Sequence, residues 1–596
     1  MFYSVKPDYL RLKNEGNNII LPFQASYPDT NIQNAHNYFP RNFLGNSGLA
    51  SANYFISYKN ESLGFKLYPS PLLNDMFSEN QVEFYRSKGP YADLTGITGS
   101  KQLQILKLLF THTYKEKVNI TLRFNRYTSH GFYAKQQSTA NNFFLTSNYA
   151  NKKERAGYYF YYLNNGNRSQ ENGGIIGDTL SAQALLEPKE LLGVRLLSAV
   201  RDNKEHKLMF NPWFKLNKAP DSLNKLNSYF QIKSKFSMQS FVYKDPSIYG
   251  NAFYQLVYHD TLKTYDSTGI LKFTNEISYA LIKGNKNFAL SAGYRNEINR
   301  LWQKTDSTFF HDIIFSDFVI TKYFNSNDSL KKQKRFQNLM NVQYVMSGPN
   351  SGNYSIENKS ELVLNEKNKI KIFLNLNASS RNADHIYNNW VSNNFTWFNN
   401  GFKPQQMLQS QLGFDYKSIL GVSLLLQNIN NFLYFDDLAY PRQYTGSIQN
   451  LAVNSYCNLL LFKHLGISLN HVFQSASHNS YLSVPSHIST VKLFYSAIMF
   501  KSNLLLNVGV QGQMYNSFYS NAYMPATQIF YLQYNRASTN YPFVDVYMNF
   551  RIRPVTFFVK MENALQGLVG SDYSLVPGYF QPDRAFRFGL TWMFFD

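Results

Sequence analysis

FRFGLTWMFFD, residues 586–596, is the stretch whose reading decides the fold. In an extended strand successive side chains point to opposite faces, so Phe586, Phe588, Leu590, Trp592 and Phe594 share one side. Arg587, Gly589 and Thr591 share the other. A soluble sheet could bury the greasy side against a core, and a strand with that side in lipid would show the same pattern. The rest of the chain has to choose between them.

From about residue 91 onward the same period of two recurs in segments of about ten residues, the spacing of transmembrane strands. Val118, Ile120, Leu122 and Phe124 alternate with Asn119, Thr121, Arg123 and Asn125. Ile370, Ile372, Leu374 and Leu376 alternate with Lys371, Asn375 and Asn377, and Leu504, Leu506, Val508 and Val510 with Asn507, Gly509, Gln511 and Gln513. Val555, Phe557, Val559 and Met561 alternate with Thr556, Phe558, Lys560 and Glu562, which puts two opposite charges on the side away from lipid.

The connections alternate in length as well. Short ones are read at KEK near 115, NKK near 151, RDNK near 201, KGNK near 283, EKN near 366, KS at 417, KHLG near 463, KS at 501 and RP at 553. Between them lie long polar and aromatic stretches at 128–140, 165–190, 299–307, 380–401, 431–447, 476–487, 516–541 and 564–583. Outer-membrane barrels have short periplasmic turns and longer extracellular loops. Parity then requires FFHDIIFSDFVITKY (309–323) to be one more strand, and the expected fold is an all-β, single-chain, transmembrane antiparallel barrel of about 24 strands, range 20–26. Closure follows from the solvent: an open sheet edge in hydrocarbon would leave many backbone groups unpaired at roughly several kcal/mol each.

Composition agrees. No run of about 18 apolar residues exists to cross a bilayer as a helix, and 17% aromatic beside 16% charged residues is unusual for a soluble enzyme. A single cysteine, Cys457, rules out a disulfide framework and reads as a small hydrophobe in a strand. The net charge of +21 is scattered through short turns and not gathered into a stripe or arm, so nucleic acid is not the expected partner. Outer-membrane lipid and lipopolysaccharide phosphates, or anionic solutes, are. MFYSVKPDYLRLKNEG has no apolar h-region or small-residue cleavage site, so a signal for export is absent from the sequence as given.

PDTNIQNAHNYFPRNFLGNSGLASANYFISY (28–58), with its Asp-Thr, its Pro and its Leu-Gly-Asn-x-Gly-x-Ala run, resembles the opening of the putative-porin family of Bacteroidetes outer-membrane proteins. The resemblance continues through VEFYRSKGPYADLTGITGSKQLQILKLLFTHTY, GFYAKQQSTANNFFLTSNY, ENGGI at 171–175 and YPFVDVYMNFRIRPVTFFVKMEN, and covers essentially the whole chain. One departure from the pattern is the last residue, where Asp596 follows Phe595. The resemblance implies a barrel in the bacterial outer membrane and a porin label that rests on architecture more than on a known solute.

Two segments are expected: 91–596 as the barrel and 1–90 as a periplasmic or lumen-inserted extension. The lumen-facing set comprises Arg123, Arg295, Lys371, Gln511, Gln513, Lys560, Glu562 and Arg587, and its excess of cations would favour anions. Phe586, Phe588, Leu590, Trp592 and Phe594 are expected against lipid or in an aromatic belt. Catalytic, metal and cofactor sites are not expected. His464 and His471 lie seven apart across a turn, and Ser468 and His471, three apart on a strand, point to opposite faces. NNGNRSQENGGIIGDT (164–179) lacks the spacing of a calcium or phosphate loop and reads as an ordered external loop. The expected function is passive diffusion of small hydrophilic, preferentially anionic solutes, with a closed barrel docking other envelope proteins as the alternative. An energy-coupled receptor would need a globular plug of well over a hundred residues before the barrel.

Overall fold

A computed structural model describes residues 3–5, 17–18, 41–58, 63–68, 76–177, 188–217, 226–247, 253–283, 288–305, 309–328, 335–365, 370–501, 503–552, 554–569 and 574–595. Among these, 22 strands form one antiparallel sheet that closes on itself. They are β1 (Tyr91–Gly99), β2 (Leu103–Tyr114), β3 (Val118–Ser129), β4 (Ser138–Ala150), β5 (Ala156–Gln170), β6 (Val200–Lys215), β7 (Leu226–Asp245), β8 (Thr264–Lys283), β9 (Phe288–Lys304), β10 (Phe309–Asp328) and β11 (Arg335–Ser347). The second half is β12 (Tyr354–Asn365), β13 (Ile370–Arg381), β14 (Gln405–Tyr416), β15 (Leu420–Phe435), β16 (Pro441–Leu460), β17 (Leu465–Ala476), β18 (His487–Met499), β19 (Leu504–Tyr515), β20 (Phe543–Ile552), β21 (Val555–Glu562) and β22 (Ala585–Phe595). Each strand pairs with the next in sequence, and β22 returns to β1 with Phe595 opposite Tyr91 and Arg587 opposite Gly99. No helix of the described residues is long and apolar enough to cross a membrane.

The wall is inside out relative to a soluble sandwich. Ile120, Leu376, Val510 and Val559 are exposed, whereas their neighbours Asn119, Thr121, Asn377, Asn507 and Lys560 are buried. On β22, Phe586, Phe588, Leu590, Trp592 and Phe594 are 37–53% exposed, and Arg587 and Thr591 are buried at 7% and 8%. Large apolar side chains lying open while amides and charges are packed away is the informative departure from the ordinary rule.

The strands are longer and fewer than the sequence pattern suggests. The segment required by parity is present as β10. RDNK near 201 is not a turn but the start of β6, with Arg201 and Asn203 buried and Lys204 exposed. The stretch 431–447 is not a long loop either, because β15 runs to Phe435 and β16 begins at Pro441. Polar residues there continue the ladder beyond the apolar band, and polarity alone does not distinguish such a strand end from a loop. Likewise β5 reaches Gln170 and β9 reaches Lys304.

The described residues 41–58, 63–68 and 76–86 run against the inward faces of strands around the wall. Phe77 and Phe84 pack with Phe144, Tyr159, Leu163 and Trp213 on β4–β6. Phe65 and Leu67 pack with Ile270 and Leu301 on β8 and β9, Ile56 with Leu425 and Ala452 on β15 and β16, and Tyr54 with Val472 and Ile488 on β17 and β18. At the long-loop end, 382–404 folds inward as an aromatic cluster in which Tyr387 stacks on Phe435 at 4.8 Å and Trp390 on Trp397 at 6.4 Å. Two backbone bonds join the layers, with His385 N donating to Lys66 O and Ile386 N to Leu67 O, each at 3.0 Å.

Candidate functional site in the barrel interior

Period-two alternation puts every second residue of each strand on the inner face, and the interior is where those polar side chains converge. The Leu-Gly-Asn-x-Gly-x-Ala run shows why its residues are needed. Gly45 and Gly48 adopt φ of +89° and +77°, in the left-handed region that glycine enters without strain. The resulting loop turns its backbone carbonyls toward the wall. Gln136 Nε2 donates to Leu44 O at 2.7 Å, Asn167 Nδ2 to Gly48 O at 2.9 Å, and Arg201 Nη2 to the same oxygen at 2.9 Å. Arg201 is fully buried and pairs with Glu171 at 3.0 Å, so ENGG at 171–174 is a structural clamp. Burial raises the Glu171 carboxyl above its ordinary pKa, and the charge of Arg201 opposes that rise.

A second clamp holds residues 63–67. Phe65 N donates to Glu297 Oε1 at 3.0 Å, Lys272 Nζ to Phe65 O at 2.7 Å, and Arg295 Nη2 to Leu63 O at 2.9 Å. Lys272 also pairs with Glu297 at 2.9 Å. A third holds the turn at Glu79, whose carboxylate meets Lys235 at 2.6 Å and Lys207 at 3.4 Å. Burial alone would raise the Glu79 carboxyl, but the two ammonium groups hold it well below the usual carboxylate range. Asn165 exchanges two hydrogen bonds with the backbone of Phe77, and Gln474 does the same for Tyr54 and Ile56.

Of the sequence-derived lumen residues, Arg295 belongs to a clamp, and Lys560, Glu562 and Arg587 pair with one another and with Asp545 along the wall. Lys560 pairs with Asp545 at 2.8 Å and Glu562 at 3.5 Å, and Arg587 pairs with Glu562 at 2.7 Å. Arg123 lies over the Phe77 ring at 5.4 Å, and Arg295 holds Leu63. Lys371 is half-exposed and 3.8 Å from Glu361; Gln513 is buried and Gln511 half-buried. Sequence reasoning missed Glu171, Arg201, Lys272 and Glu297; Lys272 carried a usable signal, since it occupies an inward position between apolar Leu271 and Phe273.

No group of three or more His, Cys, Asp or Glu side chains able to hold a metal forms among the described residues. Ser468 Oγ bonds Asn458, whereas His471 Nδ1 meets Ser489 Oγ and His464 Nδ1 meets Ser496 O. Cys457 is half-buried in β16.

The fold resembles solved transport barrels. The copper transporter OprC superposes with a TM-score of 0.62 at 10% identity, over 85% of this chain and 80% of that one. The unliganded ferric citrate transporter FecA gives 0.60 at 11% over 89% and 82%, and the ferric yersiniabactin uptake receptor FyuA of Yersinia pestis 0.59 at 9% over 86% and 82%. At such identities the likeness is one of fold. No curated protein matches the sequence. The profile of the family described as "Putative porin" matches residues 19–596, so the chain belongs to that family.

Proposed function

We propose that the chain is an outer-membrane barrel that passes small hydrophilic solutes through its interior, and that residues 41–90 with the inward-folded loops form its stopper. The carrying observation is the set of clamps that tie residues 44–48, 54–56, 63–65 and 77–79 to strands on several sides of the wall. A wall of 22 strands encloses roughly 40 Å, from about 4.8 Å between strands and a tilt of about 40°. Left empty it would admit almost any metabolite, so an occupant is physically required. The apolar faces meet acyl chains, the short turns face the periplasm, and the long loops face outward.

Anion preference belongs to the same reading. Arg295, Lys272, Lys207 and Lys235 spend their charge on the stopper or its acids, so they would line an aqueous path only once 63–86 moves away. Planar-bilayer recording tests this. The intact chain should show rare or small openings, and a variant lacking residues 41–90 should give steady conductance with reversal potentials favouring anions. A flat trace from both, with folded barrels, would favour the docking-subunit reading, which the filled interior also supports.

A further inference from the structure

We propose that the short-turn rim is a collar for anionic phospholipid headgroups. This rests on the reading of the outward apolar faces as lipid-facing. The turns at that rim carry Lys115, Lys117, Lys152, Lys153, Lys463 and Lys501, all exposed, against the exposed acids Glu116 and Glu154. Among the described residues none of these six lysines is ion-paired. At the opposite end Lys101 pairs with Glu190, Lys189 with Asp583 at 2.5 Å and Arg442 with Asp436 at 2.9 Å, while Lys135, Lys304 and Lys403 are exposed there as well. The rim's charge is therefore available to something outside the chain.

Two further observations say what that is. The lysines start where the apolar band stops, with Lys115 following Tyr114, Lys463 following Phe462 at 74% exposure, and Lys501 following Phe500 at 69%. One residue advances a strand by about 3.3 Å, less along the membrane normal once the strand tilts, so the ammonium groups lie in the headgroup layer. A periplasmic polymer would meet cations set farther out. The turns themselves are also poor hosts for lysine. Lys115 and Glu116 have φ of +48° and +55°, Lys417 and Ser418 both +55°, and Phe500 and Lys501 +50° and +53°. Hairpins of that geometry favour Asn-Gly. Lys417 sets its ammonium over the Tyr416 ring at 5.1 Å, whereas the distinguishing property of Lys115 and Lys501 in their turns is charge. The scattered basic segments behind the net charge of +21 thus acquire a partner.

Trp592 is a built-in probe, being outward-facing on β22 near the same rim, where it lies opposite Val555 just after the β20–β21 turn. The full chain in vesicles of mixed phosphatidylcholine and phosphatidylglycerol, with one or the other brominated, should have its outward tryptophan fluorescence quenched more by the anionic lipid. A cation at the headgroup plane favours an anionic lipid by about fivefold. The preference should vanish at high salt, survive inorganic phosphate, and fall stepwise in Lys463→Gln/Lys501→Gln and in the variant with all six lysines changed to Gln. Equal quenching by the two lipids, or a preference indifferent to salt in the unaltered chain, overturns the collar while leaving the membrane reading intact. Lysine-dependent cosedimentation with peptidoglycan alongside equal quenching overturns it in favour of a polymer. No quenching by either lipid removes the membrane reading and the collar together.

Discussion

Replacing Arg201 by Met should release the glycine-rich loop from the wall while leaving the barrel standing. Arg201 has no exposed surface, its Nε lies 3.0 Å from Glu171, and its Nη2 reaches Gly48 O and Ser169 Oγ at 2.9 Å each. Removing one member of a buried ion pair strands the other and costs about 3–5 kcal/mol. At about 1.4 kcal/mol per factor of ten this is roughly a hundred- to several-thousand-fold in the opening of residues 43–51. Native-state amide exchange read by mass spectrometry on the barrel in micelles would resolve it, because that peptide opens locally and not with the wall. Glu171→Leu in the Arg201→Met background should recover most of the protection, since two apolar groups replace a pair and not a half-pair. Unchanged exchange at 43–51 in the single variant, or a double variant no better than the single, would refute the clamp.

Three other outcomes are expected. Val559→Arg should cost about 2–4 kcal/mol in unfolding from vesicles if that exposed side chain meets the bilayer middle, and almost nothing if it meets water. Gly64→Ala should loosen 63–67 by about 1–3 kcal/mol, because φ there is +119° and the added methyl would sit 2.9 Å from both Glu297 oxygens; protease nicking near residue 64 reads it. Glu79 is held below its ordinary pKa, so its contribution is complete above about pH 4.3 and is lost as pH falls through the folded value. Exchange of residues 76–86 should therefore rise in acid, and Glu79→Gln should remove that part of the pH dependence.

The period of two was plain wherever the inward residues were Asn, Thr or Arg between Leu, Ile and Phe, and it placed the outward residues of β22 one by one. Strand length was harder to read. Twenty-residue strands such as Leu226–Asp245 and Pro441–Leu460 outrun any apolar band, and their polar ends look like loops because hydrogen bonding in the ladder leaves no mark on composition. RDNK was misread for the same reason: a charge run suggests a solvated turn until Glu171 is found beside Arg201. That partner lies thirty residues away, Gly48 more than a hundred and fifty, and no local pattern encodes either. The pairing of Lys560 and Arg587 with acids was nearly in view, since Glu562 had already been placed on the same face. The turn lysines were visible throughout, but that these six form no ion pair among the described residues emerged only from the fold.

The central claim is that the apolar stripe of each strand faces lipid while the other face meets a filled interior. Spin labels placed singly from 586 to 594 in vesicle-reconstituted protein test it most directly through collision with oxygen and with a water-soluble nickel complex. The account predicts high oxygen and low nickel accessibility at 586, 588, 590, 592 and 594, and low accessibility to both at 587 and 591. Nickel accessibility across the even positions, or the absence of a two-residue period, would contradict it.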